Sequence, residues 1–126
     1  WSKARFVFTM NADSHNYISN ISTIILEDDM PVFEGARTID GLRVTVDGQP
    51  MGDHKDTADY SPGGIEWGYV GQASKQLAHA ILMEHFKDAA KTAQHVDAFM
   101  ENQVSLFDNE WKITSQEIDE ALGTGS

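Results

Sequence analysis

From Leu42 to Val46 the chain alternates. Leu42, Val44 and Val46 are apolar, Arg43 and Thr45 between them are polar, and that period of two predicts a strand with one buried and one wet face. Asp40-Gly41 supplies the positive φ angles of a tight turn, and Val32-Phe33 with Arg37 to Ile39 supply the outgoing strand, so a hairpin around Asp40-Gly41 is predicted. Asp47-Gly48 predicts a second turn, and Gly52 to Tyr60 a polar, Asp-rich loop without periodicity. Residues 65–70 read as a third strand, with Ile65, Trp67 and Tyr69 on one face, Glu66, Gly68 and Val70 on the other, and Gly71 ending it.

The period then changes. Ser74 is an expected N-cap, and Leu77, Ala78, Ala80, Ile81, Leu82, Met83 and Phe86 make a helix apolar on most sides, the mark of a central helix. A second helix is predicted from about Asp88 to Val104, with Ala89, Ala93, Val96, Phe99 and Met100 on one side. Trp111 to Ile113 reads as a short strand. Thr114-Ser115-Gln116-Glu117 is a capping box that opens a last helix through Leu122. Before all of this, Phe6-Val7-Phe8 and Ile21 to Leu26 are short strand candidates, and Met30-Pro31 breaks whatever precedes it. The predicted class is α+β: a small antiparallel sheet, made by the hairpin around Asp40-Gly41 plus strand 65–70, against about three C-terminal helices. Residues 1–31 are read as an N-terminal extension, 32–122 as the domain and 123–126 as a tail or tag remnant.

Composition narrows the function more than it changes the fold. A chain of 126 residues is large enough for one core without staples. The absence of cysteine removes disulfides, thiolate nucleophiles and zinc-thiolate sites, and fits a reducing compartment. No apolar stretch reaches the roughly 18 residues of a membrane span. The first ten residues lack the apolar core and cleavage site of a secretory signal, so the expected location is cytoplasmic, without membrane association. Twenty acidic residues against nine basic ones give a formal net charge of −11. That field opposes direct nucleic-acid binding, favours a basic protein partner, and is equally what a soluble acidic surface shows.

The candidate chemistry gathers around Ser61-Pro62-Gly63-Gly64-Ile65-Glu66-Trp67-Gly68-Tyr69-Val70-Gly71. Glu66, among large side chains, is either a desolvated general acid or base or an acceptor that locks the flanking glycine turns; the lock is the favoured reading, and Glu66 is the one catalytic candidate. Trp67 and Tyr69 are candidates for a contact surface, with core burial the expected duty and Tyr69 the one to show a polar tip. Gly68 permits close approach of a backbone or ligand. Gly71 and Gln76, at the turn and the helix start, complete the candidate binding set; the turn is neither a Walker loop nor a dinucleotide fingerprint. No cofactor is expected. Asp53 and His54 in the acidic loop are the only suggestion for a metal, and a solvated turn is favoured over it. His79 and His85 stand six apart on the central helix, off a common face, and Ser61 and Ser74 lack the context of a serine nucleophile.

These residues resemble an uncharacterised family of small proteins found in bacteria, archaea, plasmids and phages. The resemblance runs from Val32 to Leu122: a V-x-V-D-G element at Val44 to Gly48, a signature of the type S-P-x-G-F-E-W-G-Y-x-G at Ser61 to Gly71, a Q-L-A-x-A-I-L helix at Gln76 to Leu82, and a tryptophan, Trp111, leading into the last helix start. Ile65 replaces the family's phenylalanine, and Gly71-Gln72-Ala73-Ser74 replaces its Gly-Ser-Gly-Pro turn. The resemblance implies a domain carried by mobile elements and supplies no activity. The leading expectation is a non-enzymatic acidic accessory protein that binds another protein through the face around Tyr60 to Gln76. The alternatives are an acidic nucleic-acid mimic that inhibits a DNA-binding or defence protein, and a small ligand-binding domain or enzyme using Glu66. A small sheet leaves edges that a second copy can cover, which makes a homodimer a candidate assembly.

Overall fold

A turn at Ile39-Asp40, a second at Asp47-Gly48 and one far-travelled strand build the sheet. In the computed structural model, which describes residues 31–123 and the short strands β1 (Phe6–Val7) and β2 (Ile25–Leu26), β3 (Val32–Thr38) and β4 (Gly41–Val46) form the predicted hairpin, and β5 (Gln49–Pro50) follows across Asp47-Gly48. Those two turn residues take φ values of 52° and 84°, the left-handed pair that matches strand twist. β6 (Glu110–Thr114) returns from the C-terminal part of the chain to pair with β3, giving an antiparallel four-stranded sheet ordered β5-β4-β3-β6. The segments β1 and β2 pair with each other, antiparallel. The rest of the predicted N-terminal extension, and the tail beyond Gly123, lie outside the described residues.

Three helices follow the sheet in the order the sequence predicts: α1 (Gln72–Phe86), α2 (Ala89–Asn102) and, after a 3-10 turn at Val104–Leu106 and β6, α3 (Ser115–Leu122). Every residue from Gln76 to Leu82 is buried, so α1 is the central helix, covered on all sides along that stretch. The sheet contributes Phe33, Val44, Trp111 and Ile113 to the same core, and α2 and α3 contribute Val96, Phe99, Met100 and Ile118. The opposite sheet face carries Glu34, Arg43 and Lys112 into solvent, the alternation of a half-buried antiparallel sheet. Gly35 faces the core, where its register partner Trp111 lays its indole over it; a Cβ there would collide with the ring.

Four local expectations are corrected. Residues 65–70 form no strand: the amides of Glu66 and Gly68 donate to Ala73 O and Val104 O, each at 3.1 Å, and Gly68 turns to φ 92°, which breaks the alternation. The sheet partner expected there is supplied by β6. The hairpin loop is Ile39-Asp40, one residue earlier than Asp40-Gly41, because Thr38 pairs with Gly41. The Thr38 hydroxyl donates to Gly41 O at 2.7 Å and accepts from the Asp40 amide at 3.1 Å, closing the turn from the strand side. The first helix starts at Gln72 with Gly71 as its N-cap, and Ser74 is buried in its first turn. The second ends at Asn102, short of Val104, where the chain tightens into the 3-10 turn. The capping box stands as read: the Thr114 hydroxyl accepts from the Glu117 amide at 3.1 Å, and Glu117 accepts from the Thr114 amide at 2.9 Å.

Candidate functional site

Arg37 organises the site. Strand alternation places it on the core-facing side of β3 after Phe33 and Gly35, near the open end of the sheet where no helix covers it completely. Its Nη1 lies 2.7 Å from Glu66 Oε1, its Nη2 donates to Trp67 O at 2.9 Å, and its guanidinium stands 4.8 Å from the Trp67 ring centroid. Both charged side chains are about one-third exposed (35% and 33%), so the pair contributes at most about 1 kcal/mol, and its main effect is positional. It anchors the segment that carries the aromatic residues to the hairpin.

Trp67 is 1% exposed and forms the floor. Its Nε1 donates to Asp108 O at 2.7 Å, and its ring meets Trp111 edge-on at 5.6 Å, while Phe107 stacks on Trp111 at 4.4 Å. Glu66 Oε1 also accepts from the Trp67 amide at 3.0 Å. This lock differs from the expected one: Glu66 holds Arg37 and its own neighbour's amide rather than the glycine turns. The groove bounded by these groups measures about 960 Å³ and is lined by Arg37, Glu66, Trp67, Gly68, Tyr69 and the segment from Phe107 to Glu110. Gly68 lines it at a φ that disfavours any side chain.

Two of the sequence candidates lie elsewhere in the molecule. Gly71 caps α1, with Tyr69 folded so closely over it that a Cβ would sit 2.6 Å from Tyr69 Cε2. Gln76, fully buried, is a clamp for the loop 52–61. Its Oε1 accepts from the amides of Tyr60 and Ser61 at 2.6 and 3.3 Å, and its Nε2 donates to Asp53 O and Ala58 O at 2.7 and 3.0 Å. One side chain replaces the partners that a loop lying on a helix would otherwise lack.

The same loop contains the suggested metal pair. His54 Nε2 lies 2.7 Å from Glu84 Oε2, and Asp53 Oδ1 accepts from the Lys55 amide at 3.2 Å; among the described residues no three donors gather as a metal site. Thr57 Oγ1 donates to His54 O at 2.9 Å and lies 2.7 Å from His79 Nε2. With its one proton committed to the carbonyl, the hydroxyl accepts from His79, which fixes the Nε2–H tautomer and leaves the buried Nδ1 without a partner among the described residues. Burial, and then the nearby His54 imidazole, lower the pKa of His79 below its ordinary 6.5.

A serine, a histidine and an aspartate do meet, away from the groove. His85 Nε2 is 2.7 Å from Asp119 Oδ1, and Ser115 Oγ is 3.0 Å from His85 Nδ1. The His85 side chain is only 6% exposed, and these contacts tie the end of α1 to the start of α3. Neither His85 nor Ser115 lines the groove, which lies among other residues.

Sequence reasoning found Glu66, Trp67, Gly68 and Tyr69 and missed Arg37, Phe107, Asp108, Asn109 and Glu110. Arg37 did leave a signal, being a charge in phase with Phe33 and Gly35 on the apolar face of a strand. The Phe107 to Asn109 turn left none, because its place opposite Trp67 depends on a contact forty-one residues apart.

A family profile described as a family of unknown function, DUF6166, matches residues 33–124. The chain belongs to that family. No curated protein and no solved structure matches it. The DUF6166 span contains every residue of the groove, from Arg37 to Glu110, together with the Gln76 clamp. The strands β1 and β2 fall before it.

Proposed function

We propose that this DUF6166 protein is a non-enzymatic interaction domain that binds another protein across the Arg37–Glu66–Trp67 groove. One observation carries the reading. Of the exposed large hydrophobic residues among the described ones, Tyr69 lines the groove, and Ile39, Leu42, Val70 and Leu106 stand within two residues of a lining residue in the chain or opposite one in the hairpin. Leu42 is the cross-strand partner of Arg37, Ile39 sits at the hairpin tip two residues further on, Tyr69 lines the groove, Val70 follows it, and Leu106 precedes Phe107. Scattered exposed apolar residues are ordinary; their gathering at one groove with aromatic walls is what an interaction site shows.

The arrangement of Glu66 supports the same reading over an enzymatic one. Its carboxylate is engaged by Arg37 and a main-chain amide, and among the described residues no histidine, serine or lysine lines the groove with it. A photo-crosslinking residue placed at Leu106 or Val70, in cells that naturally produce the protein, tests the proposal. A defined heterologous protein is expected at those positions and not at Thr45 on the opposite sheet face. Equal crosslinking at Thr45, or none at Leu106 and Val70, would refute it.

A further inference from the structure

The charges of the groove select the partner's chemistry. Among the described residues its charged lining is Arg37, Glu66, Asp108 and Glu110, and Glu110, in register with Ala36 and one place before the core-facing Trp111, belongs to the opposite sheet face with Arg43 and Lys112. Arg37 is consumed internally: one nitrogen is on Glu66, another on Trp67 O, and its face is on the Trp67 ring. Glu66 uses Oε1 for both of its contacts, and neither its Oε2 nor the Asp108 carboxylate meets a partner among the described residues. The groove therefore offers an incoming group the Asp108 carboxylate and the free Oε2 of Glu66, with the exposed Tyr69 in its lining and the exposed Val70 and Leu106 next to lining residues in the chain.

We infer that the occupant is a segment of another protein that presents an arginine or lysine between apolar side chains, its cation meeting Asp108 and the free oxygen of Glu66 and its flanks covering the rim. This rests on the interaction reading above. A cation with apolar neighbours satisfies both halves of the site: the carboxylates accept charge-assisted hydrogen bonds, and the flanking contacts exclude the water that would weaken them. A second copy of this chain fits poorly, because each copy would bring a net charge of −11 and the same acidic groove to the other.

Selection of a random peptide library displayed on phage against the purified protein tests the inference. The binders are then measured against three variants: Leu106→Asp, Asp108→Asn, and Thr45→Asp on the far face as control. The expected binders carry a basic residue next to apolar ones and are lost with Leu106→Asp. They weaken about tenfold with Asp108→Asn, and again on going from about 50 to about 500 mM NaCl. The Asp108 carboxylate lacks a partner among the described residues, so that variant should keep the circular dichroism and melting of the parent. Binders that need Leu106 but show no basic enrichment, or ignore the Asp108 substitution, would overturn the inference and leave the interaction site standing. Peptides indifferent to Leu106→Asp, or no binders at all, would overturn both.

Discussion

A buried imidazole whose Nε2 donates to Thr57 and whose Nδ1 has no partner is more easily kept neutral than charged, and His79 is such a group. Burial and then the neighbouring His54 imidazole lower its pKa, while the His54 backbone and then Asp56 act in the opposite sense without overcoming them. Between that lowered value and the ordinary 6.5 the unfolded chain binds more protons than the folded one, so stability falls as the pH drops through this window and is unaffected by His79 above it. Urea melts from pH 7.5 down to pH 5 should show this slope for the parent and a smaller one for His79→Gln, whose amide can reach Thr57 without titrating. The sequence placed His79 on a buried helix but could not show what lay over it, because Thr57 comes from a loop without periodicity. Glu66 and Trp67 were legible for the opposite reason: an acid flanked by large side chains among glycines is visible locally, whatever the backbone does. Arg37 was visible as a pattern violation and became meaningful only once Glu66 stood opposite.

Among the elements, the loop 52–61 and helix α1 behave as one piece because Gln76 joins them. Its four hydrogen bonds fall on four different loop residues. Gln76→Ala leaves main-chain groups without partners, at about 1–3 kcal/mol for each one that cannot reach water. Since the loop can lift toward solvent, a total loss of about 2–4 kcal/mol is expected in chemical denaturation. Hydrogen exchange should accelerate at Tyr60 and Ser61 while the amides of Ile81 and Leu82 stay slow. The helices were legible from their period and caps, with errors of up to three residues at their ends. The supposed strand at 65–70 was not, since Ile-x-Trp-x-Tyr imitates strand alternation and the sequence does not reveal that Gly68 turns back. The fourth strand was visible as Trp111 to Ile113, but its place beside β3 depends on a long-range pairing that no local pattern specifies.

For the whole molecule, charge is the dominant global property. Twenty acids and nine bases leave a net repulsion, and among the described residues few are paired tightly; Lys75 with the exposed Asp97 at 3.0 Å is one example. Adding salt weakens such pairs slightly but screens the larger excess, so stabilisation should win. Raising NaCl from about 10 to about 150 mM is expected to increase the melting temperature by at most about 5 °C, a change of about 1 kcal/mol or less, as read by scanning calorimetry at pH 7.5. A decrease would mean that the ion pairs outweigh the excess charge.

The pairing of β6 with β3 sets an order of events during synthesis. Val32 to Thr38 leaves the ribosome early, but one side of that strand has no partner until Glu110 to Thr114 has been made, and the indole that covers Gly35 arrives with it. Through the production of α1 and α2 the nascent chain holds a hairpin and its most apolar helix without the strand that closes the sheet beside them. The groove is assembled last as well, since Phe107, Asp108 and Glu110 belong to the same late stretch. A polypeptide halted before that point would possess the glycine-rich signature with Trp67 and no site, so the ability to bind would come with completion of the fold.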